Sequence, residues 1–105
     1  MSHAQIEVMI AELRKSVGKI EENLDVLRVK TRVGPLDLQI LRILDDTLKG
    51  HETRSLQVAP SSSLVQAAEL LELSEELVRL RQLVRSTARA AVSAASPSSQ
   101  RELRR

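Results

Sequence analysis

Residues 6–27, IEVMIAELRKSVGKIEENLDVL, decide the fold. Ile6, Ile10, Leu13, Val17, Ile20, Leu24 and Leu27 recur at spacings of 4, 3, 4, 3, 4 and 3, an apolar seam sustained over three heptads. At helical pitch these aliphatic side chains share one face, so the spacing predicts a helix from Ser2 to about Arg32. Ser2 with Gln5 three residues later is the signature of a capping box. Gly18, beside the seam, costs about 1 kcal/mol relative to Ala and is read as a tolerated weak point.

A second seam lies near the other end of the chain. Leu70, Leu73, Leu77, Leu80 and Val84 continue into Thr87, Ala91 and Ala94 at spacings of 3, 4, 3, 4, 3, 4 and 3. Ser63 with Gln66 makes another capping box, and Ser96-Pro97 is a stop signal, so a helix is predicted over about 63–95. Leu64, Ala68, Leu71 and Val78 add a partial second stripe. Residues 96–105 are polar and basic and are expected to form a disordered tail.

Between the seams, Gly34-Pro35 ends one helix and opens the next, since Pro suits the first helical position and restricts the residue before it. The middle helix is predicted over 35–49, with Gly50 as its stop and a loop over 51–62. Its Leu36, Leu38, Ile40, Leu41, Ile43, Leu44 and Leu48 cover more than one narrow stripe. Such a short helix is buried between neighbours or keeps a face for a partner.

Composition agrees with helices throughout. The 105 residues are 42% hydrophobic and 29% charged, and contain no Phe, Trp, Tyr or Cys. An all-β fold draws on aromatic residues and frequent turns, and both are scarce here. Without Cys there is no disulfide framework, thiolate metal site or thiol catalysis. Without aromatics there is no base-stacking platform. The length suits one domain. The expected architecture is all-α: an elongated antiparallel hairpin or three-helix bundle over 1–95, built on coiled-coil heptads and self-associating. The first residues lack the apolar core of a signal peptide, and no stretch is long and apolar enough to span a bilayer. The expected setting is cytoplasmic.

The charge is +2 overall but unevenly placed: residues 77–105 carry +6 and the rest −4. In the third helix Glu69, Glu72, Glu75 and Glu76 precede Arg79, Arg81, Arg85 and Arg89. The helix dipole favours that order and accounts for part of it. Antiparallel self-pairing centred near Val78 would also set Glu69 against Arg89, Glu72 against Arg85, Glu75 against Arg81 and Glu76 against Arg79. Complementary flanks of this kind set orientation. The expected protein-binding residues are therefore these eight charges, the seam Leu70, Leu73, Leu77, Leu80 and Val84, and Leu38, Ile40, Leu41, Ile43 and Leu44 of the middle helix.

Chemistry is sparse. His3 and His51 are far apart and lack metal-site spacing. No nucleophile elbow is present, and three Gly cannot build a phosphate-cradling loop. The adjacent pairs Asp45-Asp46 and Glu75-Glu76 diverge on a helix. No enzyme activity, cofactor, metal or small-molecule substrate is expected. The expected function is a small coiled-coil interaction module, acting as an assembly subunit, adaptor or chaperone-like regulator. Its partner is a second copy through helix three, another helical protein, or both. The alternative is a nucleic-acid-binding regulator using the Arg-rich half of helix three.

Overall fold

The computed structural model describes residues 1–95, with side chains through Ser93. Three helices follow in order: α1 over His3–Arg28, α2 over Pro35–Val58 and α3 over Leu64–Ala95. They form an elongated bundle of 63 × 22 × 17 Å. No strand occurs among the described residues, and no described helix is long and apolar enough to cross a membrane.

Both predicted capping boxes form. The Ser2 hydroxyl accepts from the Gln5 amide at 3.2 Å, and the Ser2 amide donates to Gln5 Oε1 at 2.8 Å. Ser63 and Gln66 repeat the arrangement at 3.2 and 3.1 Å. Each box satisfies amides that a helix start leaves without intrahelical partners. Pro35 opens α2 as expected, with Gly34 as its cap. The Asp37 carboxylate accepts from the Gly34 amide at 3.0 Å and from the Lys30 ammonium at 2.8 Å. These contacts, the Lys30 hydrogen bond foremost, hold its pKa below the ordinary carboxylate value.

Three boundaries differ from expectation. α1 ends at Arg28 rather than about Arg32, which leaves residues 29–34 as the connection. α2 runs through Gly50 to Val58, so most of the predicted 51–62 loop is helical. Gly50 adopts no positive φ, and a Gly in the helical region interrupts nothing. The third difference follows: the α2–α3 connection shrinks to residues 59–63, begun by the short 3₁₀ turn Ala59–Ser61 with Pro60 inside it. A short connection of this kind is the usual link between antiparallel helices. The expected tail over 96–105 lies outside the described residues.

The core is aliphatic and continuous. Seven α1 seam residues, Ile6 to Leu27, are buried together with Met9. They meet Leu41, Leu44, Leu48 and Val58 of α2 and Leu70, Leu73, Leu77, Leu80 and Val84 of α3 in one cluster. Burial of this kind contributes about 25 cal/mol per Å² of apolar surface, and drives the fold of a chain without aromatics. The α2 seam runs Leu41, Leu44, Leu48, His51, Ser55, Val58, again alternating 3 and 4.

Candidate functional site

The residues expected to bind a partner divide into a buried group and an exposed group. Leu70, Leu73, Leu77, Leu80 and Val84 are all buried inside the bundle. Self-pairing of α3 through this seam requires the intramolecular core to open first. Leu41 and Leu44 are buried too, and Leu38 packs partly against the core.

The charges beside the seam are engaged within the chain. The Arg81 guanidinium donates to Asp45 at 3.3 Å and to Glu52 at 2.9 Å, joining α3 to α2. Arg85 lies 3.7 Å from Asp45. Arg79 pairs with Glu76 one turn before it and with Glu21 of α1 at 3.6 Å. Glu69 meets Arg14 of α1 at 3.4 Å. Among the described residues, Glu72, Glu75 and Arg89 form no ion pair. Of the four arginines in the Arg-rich half of α3, Arg79, Arg81 and Arg85 thus already face carboxylates. Arg79 lowers the pKa of Glu76, and Glu21, sharing a hydrogen bond with Glu76, is raised.

What α2 leaves exposed is an aliphatic stripe. Leu36, Ile40 and Ile43 are 74%, 41% and 61% exposed. Their spacing of i, i+4 and i+7 puts them on one helix face. Along α3, Leu64, Leu71 and Val78 recur every seven residues and are also exposed, so the partial second stripe stays outside the core. Isolated exposed aliphatics are normal on a monomer, whereas these two sets each share one helix face.

Three polar features were not legible in the sequence. Gln66 is buried, and its amide donates to the His3 carbonyl at 2.7 Å and to Glu7 Oε2 at 3.1 Å. It therefore caps α3 and clamps that helix start to the start of α1. Ser16 Oγ and His51 Nε2 are hydrogen-bonded at 2.8 Å across α1 and α2. Partial burial, with the nearby Arg54 charge, pushes the His51 pKa down. Both residues sit mid-helix, where backbone amides are bonded within the helix and offer no oxyanion donors. The pair reads as a register pin between two helices. Among the described residues, the buried hydroxyl of Ser55 has no hydrogen-bond partner.

Concavities on the described surface include the following two. One, of about 430 Å³, lies between α1 and α3 and is lined by Arg14, Glu21, Glu72 and Glu76 above Val17 and Leu73. Among the described residues no three His, Cys, Asp or Glu side chains are arranged to hold a metal ion. The other, of about 610 Å³, lies where the α1–α2 connection meets the last turns of α3.

Comparison with known proteins adds no relative: no family model, curated protein or solved structure matches the chain.

Proposed function

We propose that this protein is a small helical interaction module, an assembly subunit or adaptor that recruits a partner by helix packing on α2. The observation that carries the reading is the Leu36, Ile40 and Ile43 stripe, left exposed after every seam has been filled from within the chain. A helix laid against it would bury i, i+4 and i+7 anchors, the usual grammar of helix recognition. The exposed Leu64, Leu71 and Val78 row offers a second contact line on the same rod.

The test compares the wild-type chain with Leu36→Gln/Ile40→Gln/Ile43→Gln. Light scattering with refractive-index detection gives the solution mass across a concentration series. Chemical cross-linking in the native cell identifies what touches the chain. The reading expects association, with itself or with a helical protein, that the triple variant loses while its helicity is kept. A wild type that is monomeric, and whose cross-linked neighbours are the same as those of the variant, overturns it.

A further inference from the structure

At one end of the rod a cleft of about 610 Å³ opens between the α1–α2 connection and the last turns of α3. Its floor is apolar, made by the buried Leu27 and Ala91 with the half-buried Val33. Ser86 and Thr87 form one wall. The rim is cationic: Arg28, Lys30 and Arg32 line it, and among the described residues no carboxylate does. Lys30 is bonded to Asp37, whereas Arg28 and Arg32 form no ion pair among the described residues. The volume falls within the range of ligand clefts and suits a few side chains rather than a whole helix.

We propose that this cleft binds a short acidic peptide segment of a partner protein, aliphatic side chains on the floor and carboxylates on Arg28 and Arg32. Arg is the side chain best suited to bidentate carboxylate recognition. A nucleic acid fits less well. Among the described residues the lining has no aromatic ring to stack a base and no Asn or Gln to read a base edge, and a sugar–phosphate chain leaves the apolar floor uncovered. The chain's own residues 96–105 also fit poorly, since Arg101, Arg104 and Arg105 outnumber Glu102. The cleft uses none of the Leu36, Ile40 and Ile43 stripe, so it stands or falls separately from α2 recognition.

The experiment uses the full chain, immobilised, and a pool of short synthetic peptides randomised over Asp, Glu, Leu, Ile, Val and Phe. A matched pool replaces the acids by Asn and Gln. Retained peptides are identified by mass spectrometry, and the best are measured by fluorescence anisotropy against rising salt. Acidic aliphatic peptides are expected to be enriched over their amide counterparts. Arg28→Glu/Arg32→Glu should weaken them about tenfold, the sum expected for two reversed surface pairs. Ala90→Phe keeps the charges and fills the cleft, and should also remove binding. Leu36→Gln/Ile40→Gln/Ile43→Gln should leave it intact. If the charge reversal fails to fold by circular dichroism, Arg28→Gln/Arg32→Gln takes its place. Equal retention of both pools, or binding unchanged by the arginine and Ala90 variants, overturns the proposal. Tighter binding of a duplex or single-stranded DNA, lost in the same arginine variants, overturns it in favour of phosphate recognition.

Discussion

Gln66 joins two tasks in one side chain. It completes the α3 capping box and fastens α3 to the His3 carbonyl and Glu7. Gln66→Ala should therefore cost about 1–2 kcal/mol, more than an exposed cap, because the His3 carbonyl also loses its donor. Urea unfolding followed by far-ultraviolet circular dichroism measures it, since the chain has no Trp or Tyr to report. Ser55 predicts the opposite sign. Its buried hydroxyl has no partner among the described residues, so Ser55→Ala should be neutral or stabilising by up to about 1 kcal/mol. A loss of stability would show that the hydroxyl is bonded in solution. His51 gives a pH dependence. Its pKa lies below the ordinary 6.5 in the folded chain, so the unfolded chain takes up the proton first as the solution is acidified. Its contribution is complete above 6.5 and is lost as the pH falls through the folded value. The urea midpoint should fall over that window in the wild type and fall less in His51→Gln.

At the scale of elements, the α1 and α3 seams were legible because Leu, Ile and Val fill nearly every register position. The capping boxes were legible because their chemistry is local. The second half of α2 was hidden because His51 and Ser55 occupy seam positions, and polar residues there break the apolar pattern although the 3 and 4 spacing persists. Gly50 resembles a stop signal, yet its φ is not positive and the helix continues through it. The same hidden turns supply Glu52, so its ion pair with Arg81 could not be drawn from sequence. Arg81 and the Asp45 and Glu52 carboxylates are each only 19–26% exposed. Arg81→Glu/Arg85→Glu should therefore destabilise the folded chain itself, by about 2 kcal/mol from several partly screened pairs. The change should appear as a lower urea midpoint at every protein concentration. A variant that loses mass in light scattering but keeps its midpoint would instead place these arginines between chains. Leu77→Ala, at the fully buried centre of α3, should cost about 2–5 kcal/mol by the same unfolding measurement.

Taken whole, the molecule is a rod that closes its core and leaves two kinds of surface unused. The excess of aliphatics on the middle helix was visible in the sequence, and the structure resolves it into the buried Leu41, Leu44 and Leu48 and the exposed Leu36, Ile40 and Ile43. The cationic cleft was not visible, because Leu27, Arg32 and Ala91 meet only when the α1–α2 connection is laid against the end of α3. One chain packs its seams into a single core, and the α2 stripe faces outward. Urea unfolding of Leu36→Gln/Ile40→Gln/Ile43→Gln across a wide range of protein concentration tests this arrangement most directly. Surface substitutions of this kind change stability by about 0.5 kcal/mol or less. The variant should unfold in a cooperative transition whose midpoint is the same at every concentration, and any concentration dependence of the wild type should vanish in it. A midpoint that rises with concentration in the variant as steeply as in the wild type would contradict this arrangement, and would mean that the seams themselves are shared between chains.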